Sequence, residues 1–287
     1  MVHSTWGTWF VDDEVEAATD PGLSVWYLGC NGFVLRTPET TVYIDPYFAD
    51  GDPPNLVRMI PVPMNPADAS QCDAVLVTHE HIDHMHPPSF KPFVSDLNAD
   101  VYAPEASYEQ ADYDGPVTVP SAPSNTVSVG DSFTIGDLEI HVREANDPDA
   151  IEPVTYVIEH ESGTFFHAGD SRPSEAFSAI GEEFDIDLGV LALGSVGNVY
   201  YPEDNETRLT KWYMDENQVI KAANDLRLTR LFPSHWDVWR GVGADPKTLH
   251  EHAATYQYPR TIEIGAVGDR LAVDASGIVP SQTLRNE

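Results

Sequence analysis

Three histidines and an aspartate lie close together in the segment 78–84, whose sequence is THEHIDH. Imidazole nitrogens and carboxylate oxygens are donors that divalent metal ions take in proteins. His79 and His81 alternate, so both side chains point to the same side if they lie at the end of a strand. Asp83 and His84 follow where the chain turns, and they reach in a second direction. The spacing therefore favours two adjacent metal ions over one closed structural site.

The elements that must hold this motif are mostly strands. Apolar and β-branched runs separated by turn residues predict strands at 24–30, 32–36, 41–45, 73–78, 138–143, 154–159, 164–168, 187–193 and 230–233. Helices are predicted at 104–111, at 173–181 with Ser171 as N-cap, at 215–226, and after Asp245-Pro246. This order suits two sheets packed face to face with helices outside, and the pattern alone predicts an α+β fold.

The motif resembles the signature of the metallo-β-lactamase superfamily. Residues 165–170 resemble the strand that ends in Gly-Asp, and residues 232–237 resemble the strand end that delivers a last histidine. The resemblance implies an α/β (α+β) fold of the αββα sandwich type, with residues 1–287 as a single domain. It also implies a ligand set: His79 and His81 for the first metal, Asp83, His84 and His235 for the second, and Asp170 as the bridge.

A narrower resemblance, to the L-ascorbate-6-phosphate lactonase (UlaG-like) family, covers most of the chain. The segments that carry it are 6–9, 26–32, 79–84, 167–171, 193–195 and 235–246. The resemblance implies a metal-dependent hydrolase that opens a sugar-derived lactone by attack of a metal-bound hydroxide. Asp83 and Asp170 are then the catalytic carboxylates, with Asp83 a candidate to protonate the leaving oxygen.

One position departs from the superfamily pattern. Many members supply a third histidine to the first metal just after a mid-chain strand, and here that place falls on Asp147. As a ligand, Asp147 would make the site richer in oxygen and would favour manganese or iron over zinc. The alternative is a loop residue with a turn-forming role before Pro148. We therefore expect one or two divalent ions, manganese or zinc, with iron as a further candidate.

The residues that would bind substrate are less well marked. Trp236 follows a candidate ligand directly and is a candidate pocket wall. The lactonases carry a basic residue beside the mid-chain aspartate, whereas this chain has Pro148 and Asp149. Arg208 and Lys211 are candidate replacements, and the alternative is that both are surface charges. An unphosphorylated sugar lactone therefore stays open as substrate, as do two rival functions, a metal-dependent phosphodiesterase and a non-catalytic metal-binding protein.

Charge is the second distinctive property. Asp and Glu total 47 against 15 Lys and Arg, which gives a formal net charge of −32. Carboxylates in this excess repel one another in dilute buffer, and molar salt screens the repulsion. The charge therefore indicates a halophile with a salt-rich cytoplasm, and an ordinary acidic protein is the alternative. Its sign disfavours nucleic acid as a partner.

No apolar run is long enough for a bilayer and no signal pattern is present, so we expect a cytoplasmic protein that acts on a small molecule without a membrane partner. A homo-oligomer stays open by family resemblance.

Overall fold

The computed structural model describes residues 4, 6–53, 56–118, 124–194, 196–201, 204–273 and 278–279. Ser195, part of a segment that carries the lactonase resemblance, lies outside this range. The strands in chain order are β1 (Ser24–Gly29), β2 (Gly32–Arg36), β3 (Thr41–Ile44), β4 (Gly51–Asp52), β5 (Leu56–Val57), β6 (Ala74–Leu76), β7 (Asp100–Ala103), β8 (Ser124–Thr126), β9 (Ser132–Ile135), β10 (Leu138–Glu144), β11 (Val154–His160), β12 (Gly163–His167), β13 (Leu188–Ala192), β14 (Val196–Tyr201), β15 (Glu206–Lys211), β16 (Arg230–Ser234), β17 (Val242–Gly243), β18 (Thr261–Ile262), β19 (Arg270–Ala272) and β20 (Ile278–Val279).

Most of these strands form two large sheets. The first has the order β20-β19-β1-β2-β3-β6-β7-β8, and the second has the order β18-β16-β13-β12-β11-β10-β9. In each sheet a central group of neighbours runs parallel, β3-β6-β7 in the first and β12-β13-β16 in the second. The carboxyl ends of parallel strands meet at one edge of a sheet, so residues that follow β6, β12 and β16 can converge on a common site.

Apolar side chains fill three layers around these sheets. Between the sheets, the ring of Phe33 lies 6.0 Å from that of Phe165 and 5.8 Å from that of Phe232, in a core that both sheets supply. On the outer face of the first sheet, Phe90 and Phe93 pack against strand residues such as Tyr43. A third cluster covers the outer face of the second sheet. The four layers of helix, sheet, sheet and helix confirm the predicted αββα fold.

The helices are α1 (Pro87–Leu97), α2 (Glu105–Glu109), α3 (Ala176–Glu183), α4 (Glu216–Asp225) and α5 (Leu249–Ala253), with a π-helical turn at Phe10–Val15 and 3₁₀ turns at Pro66–Asp68 and Pro246–Thr248. The helix predicted at 215–226 is confirmed, and a capping box of Asp215 and Gln218 starts it. Helix α1 was not predicted, because Pro87, Pro88 and Pro92 read as helix breakers; two of these prolines stand in the first turn, where no hydrogen bond is lost. Within the described residues no helix is long and apolar enough to cross a bilayer.

The predicted N-cap role of Ser171 is wrong. Helix α3 begins at Ala176, several residues later than expected. The Ser171 hydroxyl instead donates to the Arg172 carbonyl and accepts from the Asn146 amide at 2.9 Å. Ser171 therefore ties the segment after β12 to the segment after β10, which are the two segments that carry Asp170 and Asp147.

A hairpin of β14 and β15 was also not predicted. The two strands pair antiparallel over their full length, and β14 also pairs with β17. Most of their side chains are exposed or half-buried, so neither strand shows the alternation on which strand prediction rests. The hairpin stands beside the strand ends described above, and three of its residues, Tyr201, Thr210 and Lys211, line the cavity found there.

Candidate metal centre

The ends of four strands bring the seven candidate ligands together. His79 follows β6, Asp147 follows β10, Asp170 follows β12 and His235 follows β16. The donor atoms form two groups, in each of which all atoms lie within 4.8 Å of one another. The first group is His79, His81, Asp147 and Asp170, and the second is Asp83, His84 and His235.

Asp170 belongs to the first group and also faces the second. Its Oδ2 is 3.2 Å from Nε2 of His84 and 3.9 Å from Nε2 of His79, and its Oδ1 is 3.8 Å from Nε2 of His235. Gly169 allows the backbone to place Asp170 here. Its φ of 56° belongs to the left-handed region, and a Cβ at this residue would lie 2.9 Å from Oγ1 of Thr78. The carboxylate is thus placed where a bridge between two cations would stand.

Asp45 fixes the orientation of the histidines from beneath. Its buried carboxylate accepts from the Thr78 amide at 2.8 Å and from the Thr78 hydroxyl at 2.7 Å, and it lies 2.8 Å from Nδ1 of His84. The Thr78 hydroxyl, having donated to Asp45, can only accept from Nδ1 of His79 at 2.9 Å. Both histidines therefore carry a proton at Nδ1, and both turn Nε2 toward the centre.

His81 presents the opposite nitrogen. Its Nε2 lies 3.2 Å from the carbonyl oxygen of Asp149, which accepts the ring proton. Nδ1 of His81 therefore faces the centre, 2.9 Å from Nε2 of His79 and 3.9 Å from Oδ2 of Asp147. The two ring nitrogens lie within hydrogen-bond distance of each other, and a shared cation would take both as ligands.

The placement of Asp147 is compatible with both roles that the sequence left open. Its Oδ1 accepts from the Asp149 amide at 3.1 Å, which is the turn-forming contact of an Asx turn. Its Oδ2 points to the first group and lies 3.8 Å from Nε2 of His79. The turn role does not compete with a ligand role, because Oδ1 makes the turn contact while Oδ2 stays available to a metal ion.

Charges in the centre favour a cation. Burial, together with the neighbouring His84, lowers the pKa of His79 to about 3, so this ring is neutral near neutral pH. Burial and the Asp170 carboxylate raise the pKa of Asp147 to about 6. Burial also acts to raise the pKa of Asp170, but the nearby His84 and His235 outweigh it and hold that pKa well below its usual range. Near neutral pH both carboxylates are ionised, and their repulsion is relieved by a bound cation.

A cavity of about 560 Å³ opens directly over the centre. His81, Asp83, Asp147 and Asp170 contribute to its lining, so a small molecule in the cavity would touch the candidate ligands. A concave site of this size is typical of small-molecule binding.

The comparisons with known proteins agree with this geometry. The family model of the beta-lactamase superfamily domain matches residues 40–236. The chain belongs to this family. It is accordingly a hydrolase of the metallo-β-lactamase superfamily, with a centre suited to divalent metal.

Individual relatives are more distant. The chain is 27% identical to the probable L-ascorbate-6-phosphate lactonase UlaG of Escherichia fergusonii, over 85% of this chain and 78% of that protein. Among solved structures it is similar to Igni18, a metallo hydrolase of Ignicoccus hospitalis, with 17% identity, a TM-score of 0.66, and coverage of 87% of this chain and 97% of that one. It is also similar to CmlA, a diiron beta-hydroxylase of Streptomyces venezuelae, with 16% identity, a TM-score of 0.63, and coverage of 92% and 55%. The two structures show the shared fold.

The residues present fit a divalent metal ion. Oδ2 of Asp83 and Nε2 of His84 are buried, and each faces another candidate ligand, Nε2 of His235 at 3.0 Å and Oδ2 of Asp170 at 3.2 Å. Buried carboxylates and imidazoles that converge in this way form the donor set that a divalent ion takes. Mixed imidazole and carboxylate donors suit zinc, manganese and iron alike.

The substrate-binding candidates are placed differently from expectation. Trp236 lies outside the cavity lining and packs with the apolar cluster beneath the second sheet, because the left-handed backbone of His235 (φ 66°) turns the chain there. Trp239 stands on the cavity wall instead. Lys211 also lines the cavity. Arg208 lies outside the lining, pairs with Asp204 and Glu206, and covers the Tyr201 ring.

Sequence reasoning missed three residues that support the centre. Asn31 donates from Nδ2 to Oδ1 of Asp170 at 2.6 Å, while its own side-chain oxygen accepts from Ser234 and its carbonyl accepts from His167 at 2.9 Å. Asp45 orients the histidines, and Tyr213 places its hydroxyl 3.3 Å from Nε2 of His235. Asn31 lies in the tight connection between β1 and β2, and this connection delivers its side-chain amide to Asp170.

Replacing Asp45 with asparagine should weaken metal binding by about 10–100-fold. The amide can still accept one hydrogen bond, but it removes the negative charge that holds His84 and the Thr78 hydroxyl in place. The measurement is competition with a coloured chelator. Asp73→Asn is the matched control, because Asp73 also accepts from a backbone amide, that of Thr41 at 2.7 Å, but at the far end of the same strands. Equal affinity of wild type and Asp45→Asn would refute the orienting role.

Proposed function

We propose that this hydrolase is a lactonase that opens a sugar-derived lactone. The observation that carries the proposal is the cavity, which places Asp83 and Asp170 of the centre on the wall of a space large enough for a small cyclic ester. The resemblance to relatives named as probable L-ascorbate-6-phosphate lactonases, over 85% of the chain, supports the same reaction class.

The proposed ligands are His79, His81, Asp147 and Asp170 for one ion and Asp83, His84, His235 and Asp170 for a second, with manganese or zinc as the first choices and iron as a further one. A divalent ion supplies Lewis acidity for the ester carbonyl and lowers the pKa of a water molecule. Asp83 lies on the cavity wall with Oδ2 3.0 Å from Nε2 of His235. From there its carboxylate accepts the proton of the attacking water and returns it to the leaving oxygen, which completes ring opening.

A panel of lactones tests this proposal. The protein is reconstituted with manganese or zinc in about 2 M KCl, a concentration at which surface charge is screened. Sugar lactones with and without a phosphate are followed by acid release, and bis(p-nitrophenyl) phosphate is run in parallel. Metal-dependent ring opening is expected. Turnover of the phosphodiester without turnover of any lactone would replace the proposal with a phosphodiesterase, and metal binding without any turnover would replace it with a non-catalytic metal-binding protein.

A further inference from the structure

The cavity holds few charges besides the candidate ligands. Its lining includes two cations, Arg172 and Lys211, and two further carboxylates, Asp112 and Asp149. Nη2 of Arg172 lies 2.6 Å from Oδ2 of Asp149. Each cation is engaged by a carboxylate of this chain, because Nζ of Lys211 lies 2.8 Å from Oδ2 of Asp215, which stands just outside the lining.

Asp149 is held firmly beside the centre. Its backbone amide donates to Asp147, and its carbonyl oxygen accepts from His81, so its main chain is tied to two candidate ligands. Its side chain reaches back to Arg172. A ligand at the cavity mouth that approaches Arg172 therefore meets the Asp149 carboxylate at the same place.

The rest of the wall is mostly apolar and aromatic. Leu56 and Ile82 contribute aliphatic surface, Thr210 contributes a hydroxyl, and rings come from Tyr201, Trp212, Tyr213 and Trp239. Aromatic rings attract apolar and aromatic groups through large contact areas, and they offer little to a phosphate. Chemically, most of the cavity surface beyond the centre is suited to an uncharged substituent.

We propose that the cavity selects an uncharged lactone with an apolar or aromatic substituent and discriminates against phosphorylated lactones. The inference rests on the lactonase function proposed above and names its substrate class. A phosphate brings a charge of about −1.5 to −2 at pH 7 into a mouth whose two cations are already matched by carboxylates, with Asp112 in excess. Specificity built in this way comes from repulsion of the wrong ligand as well as attraction of the right one.

Three γ-butyrolactones test the selection, carrying a phenyl, a hydroxymethyl or a phosphorylated hydroxymethyl group at the γ carbon. Two readouts are compared, kcat/KM and the dissociation constant from quenching of tryptophan fluorescence, since Trp212 and Trp239 lie on the wall. The wild type should favour the phenyl lactone over the phosphorylated one by at least tenfold in both, which corresponds to about 1.4 kcal/mol.

Asp149→Asn provides the decisive variant. It keeps the shape of the side chain but leaves Arg172 without its carboxylate. The ratio between the phenyl and the phosphorylated lactone, in kcat/KM and in affinity, should therefore fall by about tenfold. Asp204→Asn is the matched control, because Asp204 pairs with Arg208 outside the cavity lining and its loss should leave the preference unchanged.

The two readouts separate failure of this inference from failure of the lactonase proposal. A wild type that binds the phosphorylated lactone as well as or better than the phenyl lactone overturns the inference, whether or not ring opening occurs. An unchanged preference in Asp149→Asn overturns it as well. If no lactone is opened but the binding order is as expected, the selection stands and the lactonase reaction is rejected.

Discussion

Asp170→Asn is expected to lower kcat/KM for lactone hydrolysis by about a thousandfold or more and to reduce the metal content retained after dialysis. The substitution removes one negative charge from the position that faces both groups of donors, 3.2 Å from His84, 3.9 Å from His79 and 3.8 Å from His235. The amide keeps the size of the carboxylate and can still accept from Asn31. The fold should therefore persist while the charge that balances two cations is lost.

Metal per chain and kcat/KM are the measurements, and circular dichroism checks that the fold is retained. Asp131→Asn is the control with the same change of charge, because the Asp131 carboxylate accepts from the Ser128 amide in an exposed turn away from the centre. Full metal content together with full activity in Asp170→Asn would show that this carboxylate is not the bridge, and the assignment of the centre would have to be rebuilt around Asp83 and Asp147.

The positions of the candidate ligands could be predicted because each lies near the end of a strand that is itself easy to read. Residues 74–77 and 231–233 are apolar, and the structure has strands there that end shortly before His79 and His235. A predicted strand of this kind fixes where the chain leaves the sheet. With strand ends known, convergence at one edge follows from parallel pairing.

Residues that orient the ligands could not be predicted in this way. Asp45 contacts His84 across 39 positions of sequence, and Asn31 contacts Asp170 across 139. Neither lies in a segment of sequence rich in metal-binding residue types. A turn accounts equally well for the presence of each residue at its position. Their roles depend on which strands become neighbours, and hydrophobic periodicity does not specify that.

Cavity walls were hardest to predict. Adjacency in sequence suggested Trp236, whereas the wall is Trp239 together with residues of the β14–β15 hairpin. The reason is local backbone geometry, because the left-handed conformation at His235 redirects the chain by a turn that no residue type there announces. In the hairpin, exposed and half-buried side chains follow no period, so its strands are invisible to pattern analysis.

Lowering KCl from about 2 M to about 50 mM is expected to reduce the free energy of unfolding by several kcal/mol, a large share of the roughly 5–15 kcal/mol that stabilises ordinary proteins. Even if each of the 15 cationic side chains paired with one carboxylate, 32 of the 47 carboxylates would stay unpaired. Their mutual repulsion favours any state that spreads them apart, which is the unfolded chain. Urea unfolding followed by tryptophan fluorescence at a series of salt concentrations measures the effect.

Two other solutes identify the cause. Choline chloride screens charge as KCl does, so it should restore stability at equal ionic strength, whereas sucrose at equal osmolarity should restore much less. Buried pairs such as Arg230 with Glu263, whose side chains are 4% and 9% exposed, are screened weakly, so the loss must come from surface carboxylates. If stability were unchanged in about 50 mM KCl, the dispersed charge would not be limiting, and the interpretation of the chain as a protein adapted to molar salt would be abandoned.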